Sequence, residues 1–79
     1  MRGYPSARKV NAVKLSARNQ LPGRVVEIKE GAVEALVRID IGSMTVSSVI
    51  TMDAVADMGL AVGDEVVAIV KADHVMIGK

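Results

Sequence analysis

The segment from residue 33 to residue 41 alternates between apolar and polar side chains, and this period of two constrains the fold more than any other feature of the chain. Its apolar face carries Val33, Ala35, Val37, Ile39 and Ile41. Its polar face carries Glu34, Arg38 and Asp40, with Leu36 as the exception. Successive side chains of a β-strand point to opposite faces, so the pattern predicts a strand with one face buried.

Further strands are predicted on both sides of this segment. Residues 21–30 and 44–51 are rich in β-branched residues and are separated from it by Gly31 and by Gly42-Ser43, a candidate hairpin turn. The complete set of predicted strands is 21–30, 33–41, 44–51, 65–71 and a short closing strand at 75–77.

Residues 52–58 interrupt the strands with a short helix-compatible segment. Thr51 is a suitable N-cap, and Asp53 in the first turn suits the positive end of the helix dipole. Gly59 is a natural C′ residue, with Leu60 as the hydrophobic contact of a Schellman ending.

The composition agrees with a strand-rich protein and excludes several classes of site. Of 79 residues, 51% are hydrophobic and 20 are Val or Ile, whereas Tyr4 is the single aromatic residue; hydrophobicity this high argues against disorder. The absence of cysteine excludes disulfides and thiolate sites, and a single histidine excludes the usual histidine-rich zinc sites. No apolar run approaches the roughly 20 residues of a membrane helix, and the N-terminus has no apolar signal-peptide core, so we expect a cytoplasmic protein.

The short length of the chain and the apolar composition of its last long strand together predict self-association. A domain near this length buries only about 60% of the surface that its unfolded chain exposes, and is marginal alone. Residues 66–70 are apolar on both faces, and a neighbouring subunit is the simplest cover for the outer face. We predict an all-β fold: a small five-stranded Greek-key barrel of the oligonucleotide/oligosaccharide-binding (OB) kind, with one short helix, assembled as an oligomer.

Positive charge is concentrated at the N-terminus, although the formal net charge is only +1. Residues 1–14 have no acidic side chain, whereas residues 15–79 have 6 basic and 9 acidic ones. The basic residues of the first segment are Arg2, Arg8, Lys9 and Lys14. We interpret residues 1–14 as a flexible basic extension and residues 15–79 as the folded domain. Because basic arms can bind nucleic acid, a nucleic-acid-binding barrel is one alternative function.

The sequence contains no catalytic constellation. It has neither a P-loop nor a G-x-G-x-x-G motif, and its only histidine, His74, is interpreted as a surface or interface residue. The carboxylates are scattered, and Asp64-Glu65 falls in a predicted turn, where solvation accounts for it. We therefore do not expect an enzyme. Barrels that bind single strands stack bases on aromatic side chains, and residues 15–79 contain none, which disfavours nucleic-acid binding.

Four segments are similar to motifs of one protein family. They are Leu15-Ser16-Ala17-Arg18-Asn19-Gln20-Leu21 followed by Gly23, Ile50-Thr51, Met58-Gly59-Leu60-Ala61-Val62-Gly63-Asp64-Glu65-Val66, and Val70-Lys71-Ala72. As a set they resemble the molbindins, small molybdate-binding proteins made of one Mop domain and related to the TOBE domains of molybdate transport ATPases and to the molybdate-sensing regulator. The resemblance covers residues 15–79 and implies a free-standing Mop/TOBE-like domain.

The resemblance implies an oxyanion ligand, molybdate or tungstate, held between subunits of a hexamer built as a trimer of dimers. It implies intracellular storage or buffering of molybdate, with no cofactor and no metal bound directly by protein side chains. Ser16 and Arg18 match the family's oxyanion donors, with the Ala17 backbone beside them. Lys71 matches its lysine, next to the Ala72 backbone N–H, and Thr51 matches a hydroxyl donor of the regulator. A TOBE-like regulatory or interaction module is the other alternative function.

Two positions depart from the family pattern. Ala54 stands where the regulator has a serine, which removes one donor. Asp73 follows Lys71-Ala72 where several relatives carry Ser, Thr or Pro. Its carboxylate would repel a dianion unless it points away from the site or pairs with a lysine.

The physical chemistry of the ligand is consistent with the residues that the resemblance implies. Molybdate is a dianion with four acceptor oxygens and no donor, so its site requires hydroxyls, backbone N–H groups and cations. Ser16 and Thr51 offer hydroxyls, and Arg18 and Lys71 offer charge-assisted hydrogen bonds. Each also has an ordinary structural interpretation: Ser16 as the end of the lead-in strand, Arg18 in a surface ion pair, Lys71 at a solvated strand end, and Thr51 as an N-cap without a ligand.

Overall fold

The computed structural model describes residues 15–79, so the predictions made for residues 1–14 lie outside the described residues. The described chain is all-β with one short α-helix, as predicted. In chain order its elements are β1 (Asn19–Glu30), β2 (Glu34–Asp40), β3 (Thr45–Thr51), α1 (Met52–Met58), β4 (Glu65–Val70) and a 3-10 turn (Ala72–His74).

The strands form one antiparallel sheet in the order β3-β2-β1-β4. The long strand β1 belongs to two ladders: its first half, Asn19 to Arg24, pairs with β4, and its second half, Arg24 to Glu30, pairs with β2. A bulge between Val25 and Glu27 falls where the partner changes, and bulges bend a strand and increase its twist. The sheet curls into a half-barrel whose edges are β3 and β4.

Gly23 allows β1 to pass closely over β2 just before the bulge. A Cβ atom at this position would lie 2.6 Å from the backbone oxygen of Asp40 and 2.8 Å from Cγ2 of Ile39. Both distances are shorter than van der Waals contact, so any side chain here would push the two strands apart. The absence of a side chain at Gly23 therefore permits the curl that separates the two ladders of β1.

The core lies on the concave face of the half-barrel. The alternation predicted from the sequence is confirmed for residues 35–39, since Ala35, Val37 and Ile39 are 2%, 2% and 7% exposed while Leu36 lies on the other face. Val33, which was also predicted for the buried face, precedes β2 and is 71% exposed. Val25 is 1% exposed and packs with Val37, Ile39 and Ala68. The core is small and has no aromatic side chain, and burial of this extent leaves a domain of this length marginally stable.

The predicted turns and helix ends are also confirmed. Gly42, with φ of 104°, lies in the hairpin between β2 and β3. The Thr51 hydroxyl accepts a hydrogen bond from the Ala54 N–H at 3.1 Å and caps α1. Gly59 ends the helix in the left-handed conformation, with φ of 60°, and the Leu60 N–H donates to the Val55 oxygen at 3.0 Å, as in a Schellman ending.

The closing strand predicted at residues 75–77 does not form in the single chain. Within residues 15–79 the sheet has four strands, and the segment after the 3-10 turn has no regular structure. Met76 and Ile77 are 91% and 90% exposed. The physical reason is that a strand forms only against a partner strand, and within residues 15–79 this segment forms no ladder with either free edge of the sheet. None of the helical segments in the described part of the chain could span a bilayer.

Candidate oxyanion-binding site

The two motifs that the sequence singled out lie side by side at one end of the sheet. The first rung of the ladder between β1 and β4 pairs Asn19 with Val70. Ser16, Ala17 and Arg18 immediately precede β1, whereas Lys71 and Ala72 immediately follow β4. Because the strands are antiparallel, both segments leave the ladder at the same rung, with Arg18 next to Lys71. Five of the six predicted ligand residues are thus brought together within one chain.

The first motif is anchored by its middle residue. The Ala17 side chain is 7% exposed, whereas Ser16 and Arg18 are exposed on either side of it. The Gln20 side chain donates from Nε2 to the Ala17 carbonyl oxygen at 3.1 Å and fixes the backbone of the motif. This anchor fixes the position of the backbone from which the exposed Ser16 and Arg18 side chains extend.

Arg18 and Lys71 have no counter-charge in the described part of the chain. Both are exposed, and neither forms an ion pair there. By contrast, Arg24 pairs with Glu65, and the Arg38 Nε atom lies 3.2 Å from Glu27 Oε1. Residues 1–14 contain no acidic side chain that could neutralise this end of the sheet.

Backbone donors add to these two positive charges. Within residues 15–79, the N–H groups of Ala17 and Ala72 donate to no other group, and the Ser16 hydroxyl forms no hydrogen bond. This end of the sheet therefore combines two cations, one hydroxyl and two backbone donors, with no acceptor paired to them. A tetrahedral oxyanion requires donors of these types.

Thr51 does not join the other five residues within one chain. It pairs with Glu34 at the end of β2 that adjoins Glu30, the last residue of β1, whereas Arg18 precedes the first residue. The whole length of β1 separates Thr51 from Arg18. The Thr51 hydroxyl also has a structural role, since it accepts from the Ala54 N–H, although its own proton can still be donated. The single chain thus accounts for Thr51 as a helix cap.

Asp73 has a partner that the sequence did not identify. The expectation was that this carboxylate points away from the site or pairs with a lysine. In the structure its Oδ1 atom lies 3.0 Å from Nδ1 of His74, and no lysine or arginine of the described residues pairs with it. Both side chains are exposed, at 70% and 73%. Asp73 is the carboxylate nearest in sequence to the two donor segments, and the His74 imidazole is the ring that lies beside it.

Sequence reasoning overlooked two residues that shape the site. Gln20 was quoted only as part of a motif, yet its amide holds the Ala17 carbonyl. Gly23 was noted only as a residue that follows the motif, and its role depends on the close approach of Asp40 across the ladder. No local sequence signal predicts such a contact, because it joins residues that are distant along the chain. Asp64 and Glu65 have structural roles, since Asp64 accepts from the Ala61 N–H and Glu65 pairs with Arg24.

Comparisons with known proteins identify the family of this chain. The TOBE domain family model matches residues 15–77. The probable molybdenum-pterin-binding protein of Haemophilus influenzae is 52% identical over 67 residues, which cover 84% of this chain and 97% of that protein.

Solved structures of molybdate-binding proteins share the fold. A molybdate-binding protein from Sporomusa ovata is 40% identical, with a TM-score of 0.81 over 85% of this chain and 100% of that chain. The cytoplasmic molybdate-binding protein ModG, in a form with molybdate bound, is 41% identical, with a TM-score of 0.72 over 76% of this chain and 43% of that chain. The chain therefore belongs to the TOBE domain family and, within it, to the Mop-type proteins known as molbindins.

Proposed function

We propose that this protein binds molybdate, or the similar oxyanion tungstate, and holds it without chemical turnover. The observation that carries the proposal is the first rung of the ladder, Asn19 with Val70, because the exposed cations Arg18 and Lys71 flank it and have no acidic partner among the described residues. Two cations on neighbouring segments attract an anion more strongly than either does alone. The molybdate-binding relatives, which include ModG with molybdate bound, support molybdate as that anion.

The proposed ligand set is Ser16, Arg18 and Lys71 with the backbone N–H groups of Ala17 and Ala72. All five groups donate hydrogen bonds, and the Arg18 and Lys71 side chains also contribute positive charge. A site of donors without an acceptor favours an unprotonated dianion over phosphate, which carries a proton part of the time. We infer the same preference over phosphate for tungstate, which matches molybdate in charge and shape.

The proposed assembly is an oligomer in which copies of the chain complete each other. A cavity of about 260 Å³ is lined by both edge strands and by the core residues beneath them, including Val46, Ile50, Val66 and Val70. The exposed residues 75–77 are apolar and pair with no strand among residues 15–79. We propose that this segment of one copy pairs as a fifth strand between β3 and β4 of another. Exchange of this kind would close the barrel and cover apolar surface.

In an assembly of copies, Thr51 of one copy can lie next to the other donor residues of a second copy. Since the length of β1 keeps it from Arg18 within one chain, its hydroxyl joins the other donors only if a second copy supplies it. We propose such sites at subunit interfaces, in a hexamer arranged as a trimer of dimers. Intracellular storage or buffering of molybdate is the proposed role, in the cytoplasm.

Native mass spectrometry tests the proposal directly. The protein is measured alone and with molybdate, tungstate, sulfate or phosphate at equal concentrations. We expect an oligomer that takes up molybdate and tungstate at a fixed stoichiometry and takes up phosphate weakly. Ligand bound only to the assembled state stabilises it by about 2.7 kcal/mol at roughly 100 times Kd, so molybdate should also raise the melting temperature.

Each alternative function predicts a different result in the same measurements. A monomer that takes up none of the four oxyanions would refute molybdate binding. Salt-sensitive binding to oligonucleotides that is lost when residues 1–14 are deleted would favour a nucleic-acid-binding barrel. Oxyanion uptake that changes the affinity for a partner protein would favour a regulatory module.

A further inference from the structure

The side-chain amide of Gln20 connects the sheet to the first donor segment. Gln20 is half-buried in β1 and pairs with Ile69 of β4, one rung from the end of the ladder. Its Nε2 atom donates to the carbonyl oxygen of Ala17 at 3.1 Å. Ala17 lies before β1, outside the regular structure. The position of its carbonyl group therefore depends on a side chain that the ladder holds in place.

This hydrogen bond constrains a whole peptide unit. The atoms from the Ala17 Cα to the Arg18 Cα lie in one plane, because the peptide bond is planar and trans. The Ala17 side chain, which is 7% exposed, holds one end of the plane, and the Arg18 side chain leaves from the other. The Arg18 N–H points to the opposite side from the carbonyl and donates to no group within residues 15–79. Gln20 thus orients both this N–H and the start of the Arg18 side chain.

The same amide does little for the stability of the single chain. Its Oε1 atom is buried and has no hydrogen-bond partner among the described residues. A buried acceptor without a partner costs at least as much free energy as one hydrogen bond between neutral groups returns. An apolar side chain of similar length would avoid that cost. A local feature that does not favour stability is expected where a residue serves a binding site.

We propose that Gln20 is a positioning residue of the oxyanion site, which acts by holding the Ala17–Arg18 peptide in the orientation that binding requires; the inference rests on the proposed function. Donors that are already ordered bind a ligand more tightly, because ordering them during binding costs free energy. Loss of the Gln20 amide should therefore weaken oxyanion binding and leave the unliganded fold equally stable or more stable.

Three substitutions separate the hydrogen bond from the shape and the charge of the side chain. Gln20→Met has a similar length and no hydrogen-bond donor. Gln20→Glu keeps the shape, and its carboxyl group can donate only when it is protonated. The matched control is Asp40→Ala, which removes a different hydrogen bond between a side chain and the backbone. In that bond the Gly42 N–H donates to Asp40 Oδ1 at 2.8 Å, in the hairpin between β2 and β3.

Calorimetric titration of the full-length protein with molybdate measures the affinity, and thermal melting without ligand measures the stability. Gln20→Met should bind molybdate roughly three- to tenfold more weakly, which is the factor that corresponds to one hydrogen bond between neutral groups. Its melting temperature should be unchanged or higher. Asp40→Ala should show the opposite pattern, with a lower melting temperature and normal binding.

The pH profile of Gln20→Glu tests the donor itself. Each affinity is divided by that of the unmodified protein at the same pH, so that protonation of molybdate cancels. As the pH falls from about 7 towards about 4.3, the ordinary pKa of a glutamic acid, the protonated carboxyl group can donate to the Ala17 oxygen. The relative affinity of Gln20→Glu should then rise above that of Gln20→Met. A recovery that stops at the level of Gln20→Met would show that only the charge mattered and would overturn the inference.

The remaining outcomes separate the inference from the proposed function. If the unmodified protein takes up no oxyanion, the proposed function fails, and the inference with it. If the unmodified protein and Gln20→Met bind molybdate equally well, only the positioning role is overturned. A Gln20→Met protein that melts lower or loses its oligomeric state in native mass spectrometry would assign the amide a structural role, and this too would overturn the inference. Weakened binding in Asp40→Ala would do the same, since affinity would then follow the loss of any such hydrogen bond.

Discussion

Removal of Arg18 or Lys71 is the most informative perturbation of the proposed site. Each is exposed and without an acidic partner in the described chain, so neither stabilises the fold through an ion pair. A hydrogen bond to a charged group contributes about 1.5 to 3 kcal/mol, and exposure favours the lower figure. Arg18→Ala and Lys71→Ala should therefore each weaken molybdate binding roughly tenfold, because about 1.4 kcal/mol is one factor of ten.

The double variant extends the same argument. The two residues share one ligand, so their effects are not independent, and the combined loss should exceed roughly tenfold and fall short of roughly one hundredfold. Without ligand, each single variant should melt within a few degrees of the unmodified protein, since surface substitutions usually change stability by less than about 0.5 kcal/mol. Removing one of two adjacent like charges should not destabilise the chain.

Calorimetry with molybdate measures the affinities, and native mass spectrometry verifies that the variants keep their oligomeric state. Arg38→Ala and Lys29→Ala are matched controls, since both residues lie near Glu27 on the outer face of the sheet, away from the proposed site. Both controls should bind molybdate normally. Unchanged binding in Arg18→Ala and Lys71→Ala would show that the site lies elsewhere. An equal loss in the controls would show that binding depends on overall charge and not on the rung shared by β1 and β4.

Three further predictions concern the fold and the assembly. Val25→Ala should lower the free energy of unfolding by about 2 kcal/mol, because it removes buried surface and leaves a cavity. Val33→Ala, at a side chain that is 71% exposed, should lower it by less than about 0.5 kcal/mol. Chemical denaturation measures both values, and equal losses would contradict the placement of the core. Gly23→Ala should lower the free energy of unfolding by about 1 to 3 kcal/mol, because the added methyl group overpacks against the neighbouring strand. Gly78→Ala, whose Cβ would meet nothing within 4 Å, should leave that free energy unchanged. A Gly23→Ala protein as stable as the unmodified protein would refute the close approach of the two strands. Ile77→Asp should reduce the oligomeric mass in native mass spectrometry if residues 75–77 complete another copy, and an unchanged oligomer would exclude that exchange.

The sequence by itself determined the elements of the fold. Alternation from Val33 to Ile41 predicted β2 and its buried face, because side-chain direction in a strand depends only on position along the chain. The helix was predicted from its ends, since Thr51 and Gly59 act through hydrogen bonds to residues within one turn. The residues proposed for the site were also named from sequence, through the motifs that precede β1 and follow β4.

Tertiary structure alone decided which of those elements meet. Only the ladder register brings Arg18 to Lys71, and the same register keeps Thr51 at the far end of β1. Gly23 acquires its role from the Asp40 backbone, 17 positions away in the chain. The last predicted strand, at residues 75–77, needs an edge to pair with, and within residues 15–79 it forms no ladder with either free edge, β3 or β4. Local patterns specify conformation, whereas register, close approach and strand pairing depend on contacts between distant residues.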